Sequence, residues 1–443
     1  MSPEAGAALP LTGRAPDDVI CFRGGEAVTV GRFLAGAAAL AALLPEGGPA
    51  LNAPADRYLA LLGFAAALLR GHPTLLGAGR GGSPAFWRMA AERHPGAYTL
   101  ADHALPDAPL PVVRLDRLPP PGAAPDAPLR IPADRVVAVA FTSGSTGTPS
   151  AHPKSWGALV AGAHAAAERF GLRAADGPPT GIVATVPPQH MYGFETTMML
   201  PLHAAVAVHS GESFFPSDVL AALSALPERR LLVTTPLHLR ALLAEGRRPP
   251  LLSAVISATA PLSREMAEAV ERDWHAPMLE IYGATEAGSM ASRRTVRDAA
   301  WTPYRGVGLR PGIATVPGIG EVPLADAIEM EEEGRFRLIG RLADLVKLGG
   351  KRTSLVELNR TLAEVEGVVD GAFVAPQDIE GNPAARLSAY VVAPGRSAEE
   401  ILAALRRRMD PVFLPRRITL VKALPRDALG KLPRQALATL TDA

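Results

Sequence analysis

Apolar residues along this chain follow two rhythms. Runs of alanine and leucine, "FLAGAAALAALL" at 33–44 and "YLALLGFAAALL" at 58–69, predict buried helices, each well short of the ~20 residues that a membrane span needs. The β-branched run "VVAVAF" at 136–141 predicts a strand. From residue 180 the two rhythms alternate: "TGIVATVPP" precedes "GFETTMMLPLHAAV", "RLLVTTP" precedes "LHLRALLAEG", and "LLSAVISATAP" precedes "SREMAEAVERDW". Strand followed by helix, repeated, predicts parallel strands joined by helical crossovers and hence an α/β fold.

Between these regions, "RLPPPGAAPDAPLRIPADR" at 117–135 is proline-dense and predicts an extended surface connection. At 321–340 "EVPLADAIEMEEEGRFRLIG" predicts two strands around an acidic turn. Beyond "GRLADLVKLGGKR" the pattern is "LVELNRTLAEV" as helix, "GAFVAPQD" and "RLSAYVVAP" as strands, "SAEEILAALRRRM" as helix and "ITLVKALP" as strand. A large N-terminal α/β domain of layered sheets and helices at 1–341, followed by a small mobile α+β domain at 342–443, is therefore expected.

Composition narrows the function classes. With 443 residues, 48% hydrophobic, 20% charged and a net charge of +1, the chain has ample core material and no polyanion-binding bias, so nucleic acid is not an expected partner. The single cysteine, Cys21, excludes an internal disulfide framework and a cysteine-cluster metal site. No basic segment followed by an apolar core opens the chain, and a cytoplasmic location is the expectation.

Candidate chemistry is concentrated in a few short stretches. "AFTSGSTGTPSAHPKSW" at 140–156 places Thr142, Ser143, Ser145 and Thr146 among Gly144 and Gly147, directly behind the predicted strand. Glycines let the backbone curl its N–H groups inward and the hydroxyls add donors, so the loop could cradle phosphate; a serine- and glycine-rich surface turn explains it as well when taken alone. It is not a P-loop, because Thr148, Pro149 and Ser150 follow the last glycine where that motif has lysine. Farther on, "EIYGATEAG" at 280–288 puts Tyr282 and Gly283 at a strand end, then Thr285 and Glu286. Tyr282 could stack on a flat ring, Thr285 could bond a phosphate oxygen, and Glu286 could hold Mg²⁺ together with phosphate.

"FTSGSTGTP", "IYGATE", "ADAIEMEEEGRFRLIGRLADLVKLGGKR" and "LPRDALGKLPR" resemble, in order and rough spacing, motifs of the adenylate-forming superfamily. That group spans acyl- and aryl-CoA synthetases, adenylation domains of peptide synthetases and firefly luciferase. The resemblance covers nearly the whole chain, and a compact branch similar to that of aryl-polyene-type pathways matches its short N-terminal third. It implies that residues 142–147 hold the β- and γ-phosphates of ATP. Ala258, Thr259 and Ala260 would line the adenine, with Tyr282 and Gly283 beside them. Thr285 would contact the α-phosphate, Glu286 Mg²⁺, and Asp326 with Arg341 the ribose hydroxyls. His190 would gate the acyl pocket and pantetheine tunnel. Lys431 would bridge carboxylate and α-phosphate during adenylation, and Lys347 would serve thioester formation.

The same resemblance implies an acyl pocket near Tyr192, Phe194, Thr197, Thr235, His238 and Ser257, whose mixed aromatic and hydroxyl character suits a planar acid such as a hydroxybenzoate. The implied reaction is ATP- and Mg²⁺-dependent activation of a carboxylic acid as its adenylate, then transfer to a phosphopantetheine thiol of CoA or an acyl-carrier protein. Departures are evident: Ser150 stands where the family has a loop lysine, with His152 and Lys154 following, and Ala343 replaces the first aspartate of the hinge element. The competing readings are a non-catalytic acyl-adenylate or nucleotide-binding module, a fatty acyl-CoA ligase and a luciferase-like oxygenase. Retention of Glu286, Asp326, Arg341 and Lys431 together argues against the first, and no sequence feature favours the last.

Overall fold

A computed structural model describes residues 7–77, 84–105, 108–117, 122, 125, 127–142, 150–172, 178–342, 345–348, 351–376, 386–426 and 432. These residues pack into two compact units, Met1–Leu309 with Ala314–Val322, and Arg310–Ile313 with Pro323–Ala443.

The larger unit is built on a nine-stranded sheet. Its strands are β1 (Val19–Arg23), β2 (Glu26–Thr29), β3 (Thr180–Ala184), β4 (Val206–His209), β5 (Arg230–Thr234), β6 (Ala254–Ser257), β7 (Met278–Ala284), β8 (Gly288–Arg294) and β9 (Thr302–Pro303). Their spatial order is β9-β8-β7-β6-β5-β3-β4-β1-β2. From β1 across to β7 every pairing is parallel, whereas β8 and β9 at one edge and β2 at the other run antiparallel. The parallel strands are apolar along their length, because helices cover them and neither face meets water. Helices Pro236–Ala244 and Arg264–Trp274 follow β5 and β6, as the alternating rhythm predicts, and β4 with the helix Pro216–Ser224 adds a further unit that the rhythm did not mark.

A second, six-stranded sheet carries Val136–Thr142, the strand expected from "VVAVAF", paired antiparallel with Ser150–Ser155 and parallel with Thr74–Leu75. Between the sheets lie helices Val30–Ala41, Arg57–Leu69 and Trp156–Arg169, started by Thr29, Asp56 and Ser155, whose side chains accept the N–H of Arg32, Leu59 and Ala158. Such caps satisfy backbone donors that the first turn leaves unpaired. Phe33, Phe64, Trp156 and Phe194 meet in their common core. Among the described residues no helix is long and apolar enough to cross a membrane. The proline-dense connection contains one strand that its composition hides, Arg130–Pro132, paired with Ala8–Pro10.

The helix expected from "GFETTMMLPLHAAV" is broken into three pieces: an α-helical turn Met191–Phe194, a π-helical stretch Glu195–Met199 and a second α-helical turn Leu200–His203. Insertions of this kind recur at functional sites because they re-aim side chains within one helix. Gly193 permits the first turn to sit on the preceding loop, since a Cβ there would lie 2.0 Å from the Pro187 carbonyl oxygen.

In the smaller unit, Asp326–Met330 and Phe336–Arg341 form the expected hairpin about the turn Glu332–Gly334. The hairpin packs against Lys351–Ser354 and the helix Leu355–Ala363, and belongs with them to the smaller unit. Strands Asp370–Val374, Ser388–Val392 and Arg417–Leu420 form a three-stranded sheet. Helix Ala398–Arg406 begins with a capping box between Ser397 and Glu400. Leu358, Leu362, Phe373, Ile401 and Leu405 fill this unit's core.

Candidate active site

Four of the parallel strands, β3, β5, β6 and β7, deliver their carboxyl ends to one edge of the large sheet, the place where open α/β sheets bind ligands. At the end of β3 stands His190, the N-cap of its short helix, with Nδ1 accepting the Tyr192 N–H at 3.3 Å. The Tyr192 hydroxyl donates to the carbonyl of Ile256 on β6 at 3.0 Å, which ties the helix to the neighbouring strand end. Thr235 caps the helix after β5, and His238 Nδ1 lies 3.0 Å from Thr185 Oγ1 and 3.1 Å from Thr235 Oγ1. Burial lowers the His238 pKa, since it disfavours the charged imidazolium.

The segment after β6 is under backbone strain. Thr259 has φ of 79°, a left-handed conformation that costs a β-branched residue on the order of 1–3 kcal/mol. Its Oγ1 and the Oγ of Ser257 are buried with no hydrogen-bond partner among the described residues. Orphaned hydroxyls on a strained turn suit a polar ligand that completes their bonding. Tyr282, on the adjacent β7, is buried with its ring 5.8 Å from Trp301. The Arg293 guanidinium covers Trp301 at 4.5 Å and pairs with the buried Glu280 at 2.7 Å. The Glu280 carboxylate also accepts the Leu262 N–H at 3.0 Å, so one network fixes both strand ends.

Thr285 and Glu286 occupy the turn between β7 and β8, both partly exposed, with Gly283 exposed before them. Among the described residues no group of three or more His, Cys, Asp or Glu side chains could enclose a metal. One carboxylate on an accessible turn fits an ion that brings phosphate and water ligands with it, as Mg²⁺ does, rather than a protein-built cage.

Of the other residues singled out by sequence, Ala258 is buried beside Thr259 and Ala260. Phe194 lies wholly inside the core, edge-on to Phe64 at 5.0 Å, and Thr197 is buried with its hydroxyl on the Gly193 carbonyl. Asp326 and Arg341 face each other across the hairpin of the smaller unit, 4.0 Å apart. Ser143, Gly144, Ser145, Thr146, Gly147, Ala343 and Lys431 lie outside the described residues, and of Thr142 and Lys347 only the backbone is described.

Lys154, noted in the sequence only as a cation after the glycine-rich loop, comes together beside this site with three residues that no motif marked. Lys154, 2% exposed, donates to the Glu286 carbonyl at 2.5 Å. Burial pulls its pKa down, opposed by the charges of Glu195 and Glu286. Glu195, the first residue of the π-helical stretch, accepts from the N–H and hydroxyl of Ser289 at 3.1 and 2.5 Å, and burial raises its carboxyl pKa. Gly288 makes this approach possible, since a Cβ there would lie 2.6 Å from Glu195 Oε1. Tyr304 completes the group, its hydroxyl buried and its pKa raised well above the usual value by burial. A lone carboxylate inside the apolar run "GFETTMMLPL" was the available signal, because such a group is buried only with partners.

The chain as a whole resembles known proteins. The AMP-binding enzyme profile matches residues 87–319 and that of the AMP-binding enzyme C-terminal domain residues 357–431. A 4-coumarate–CoA ligase of Halorhodospira halophila is 31% identical over 66% of this chain and 73% of that protein. A 2-succinylbenzoate–CoA ligase of Listeria monocytogenes is 24% identical over 68% and 70%. In fold, the O-succinylbenzoate coenzyme A synthetase of Bacillus subtilis, in complex with ATP and magnesium ion, matches with a TM-score of 0.80, covering 98% of this chain and 100% of that one at 18% identity.

Proposed function

Because this chain belongs to the AMP-binding enzyme family, we propose that it is an AMP-forming acid–thiol ligase, joining a carboxylic acid to the thiol of coenzyme A through an acyl-adenylate. ATP, carried with Mg²⁺, is the co-substrate. A carboxylate oxygen attacks the α-phosphate and pyrophosphate leaves; the thiolate then attacks the acyl carbonyl and AMP leaves. The observation that carries this reading is the strand-end constellation: strained Thr259 with its orphaned hydroxyl, Tyr282 beside it, and Thr285 with Glu286 on the next turn.

The residues have distinct tasks. Ala258–Ala260 and Tyr282 offer a flat, partly apolar surface for a base, with the Thr259 hydroxyl as its polar contact. Thr285 donates to a phosphate oxygen and Glu286 supplies the anionic oxygen that a phosphate-bound Mg²⁺ prefers. Preorganised donors and cations at the α-phosphate supply most of the rate, since a carboxylate nucleophile needs no general base. Lys154 acts through the backbone, fixing the Glu286 carbonyl and with it the turn.

An aryl acid is the substrate class that this reading favours, supported by the relatives named for 4-coumarate and 2-succinylbenzoate. The test is ATP–pyrophosphate exchange with a panel of aryl and aliphatic acids, followed by thioester formation with CoA or with a phosphopantetheinyl carrier protein. Exchange that depends on an acid and on Mg²⁺ is expected, with CoA as acceptor. Glu286→Gln should fall by on the order of a hundredfold and lose most of its Mg²⁺ dependence. Nucleotide binding without exchange for any acid would favour a non-catalytic module; thioester on the carrier protein alone would move the acceptor.

A further inference from the structure

Arg57 opens the helix Arg57–Leu69 and is 3% exposed. Its guanidinium makes no ion pair among the described residues and instead donates to three backbone carbonyls, those of Ala184 at 2.5 Å, Val186 at 3.1 Å and Gly211 at 2.6 Å. Ala184 ends β3 and Gly211 lies two residues past β4, so one cation grips two neighbouring strand ends. Burial pulls its pKa down to about 10, which leaves the group charged at neutral pH. A buried charge without a counter-ion is destabilising, and packing alone would be served better by an apolar side chain. The cation therefore has a task at these strand ends that packing does not explain.

Two of the gripped carbonyls stand on either side of Thr185. The Thr185 hydroxyl lies 3.0 Å from both Thr234 Oγ1 and His238 Nδ1, so fixing the backbone at 184–186 fixes the side chain that orients the His238 ring. A second hold acts farther along the same turn, immediately before His190: buried Gln189 donates from Nε2 to the Pro54 carbonyl at 2.7 Å. Pro54 and Arg57 belong to one short segment. That segment is itself fastened, because the Asp102 carboxylate accepts the N–H groups of Ala55 and Asp56 at 2.8 and 2.9 Å. The turn 184–190 is thus held at both ends from a single bracket.

In the proposed reaction the nucleotide takes the ends of β6 and β7, and the acid, whose carboxylate has to reach the α-phosphate, takes the adjoining ends of β5 and β3. We infer that Arg57 is a positioning residue for the acid: with Gln189 it sets the turn that carries Thr185 and His190, and through Thr185 it sets His238. This rests on the acid-activation reading and adds to it a residue that touches neither substrate.

The experiment is ATP–pyrophosphate exchange by the full chain, with the acid it uses best, for Arg57→Lys, Gln189→Met, Thr185→Val and the Arg57→Lys/Thr185→Val pair. Lysine keeps the charge but lacks the planar fork that bonds several carbonyls at once. In Arg57→Lys, kcat/KM for the acid should fall on the order of 10-fold or more, since a small misplacement of a reactant is amplified in rate, while KM for ATP stays within about twofold of the parent. The double variant should lose less than the product of the two single losses, because both substitutions act through one side chain. If Arg57→Lys fails to fold, Gln189→Met, which deletes one donor from a neutral side chain, carries the test with the same split between acid and ATP. Acid and ATP parameters that shift together, acid kinetics that stay at parent values in a folded variant, or losses that multiply in the double variant overturn the inference and leave acid activation standing. Absence of exchange by the parent chain with every acid overturns both.

Discussion

Lys154 shows how much one side chain can hold. Its ammonium is buried, bonds the Glu286 carbonyl and interacts with Glu195. Lys154→Met keeps the volume and deletes the charge, leaving Glu195 without its cation. A loss of about 1–3 kcal/mol in urea unfolding is expected, with a raised Mg²⁺ requirement in pyrophosphate exchange; unaltered Mg²⁺ dependence would limit Lys154 to a structural role. His203 gives a second residue-scale prediction. It sits 5.3 Å from Trp156 and 5.6 Å from His164, and burial, helped by His164, lowers its pKa from 6.5 to about 3. Between those values the unfolded chain takes a proton that the folded one refuses. This contribution to stability is therefore intact above pH 6.5 and erodes as pH falls toward 3. Unfolding midpoints measured from pH 7 down to pH 5 should fall for the parent protein and fall less for His203→Gln.

The elements were legible where local pattern and tertiary demand agree. β5 and β6 with their helices follow the predicted apolar rhythm, because covered parallel strands must be apolar on both faces. The π-helical stretch Glu195–Met199 was not legible, since it answers to Ser289 and Lys154, residues distant in sequence. Phe194, which the resemblance assigns to an acyl pocket, is buried edge-on to Phe64. Candidate residues that stand side by side, such as Tyr282 to Glu286, can be named from one motif; a group assembled from four separate segments, such as Lys154 with Glu195, Ser289 and Tyr304, has no such signature. Gly193 tests how tightly the broken helix is seated. Gly193→Ala puts a Cβ 2.0 Å from a backbone oxygen, and overpacking of that kind should cost about 3 kcal/mol in unfolding free energy. Gly162→Ala, on a helix with nothing within 4 Å of the added carbon, should instead stabilise by ~0.5–1 kcal/mol. Equal effects of the two substitutions would show that the seat is loose.

At the scale of the whole molecule, the reaction needs cationic help at two different moments: when charge grows at the α-phosphate, and when the thiol displaces AMP. Two lysines flanked by glycine in the sequence, Lys347 and Lys431, belong to the span of the smaller unit. Lys347 lies on the strand Leu345–Leu348, hydrogen-bonded along Lys351–Ser354, a fixed hairpin position. The superfamily resemblance assigns Lys431 to adenylation and Lys347 to thioester formation, and that division is open to experiment. Lys431→Ala should suppress pyrophosphate exchange yet still pass the acyl group from supplied acyl-adenylate to CoA. Lys347→Ala should keep exchange and slow the transfer. Removal of a positioned cation from a developing charge costs on the order of a hundredfold in rate, enough to separate the two half-reactions. Ala343, where the family's hinge element has aspartate, makes the outcome informative either way. If both substitutions depress both half-reactions equally, one arrangement of the smaller unit serves both steps, and alternation between two arrangements is not how this chain works.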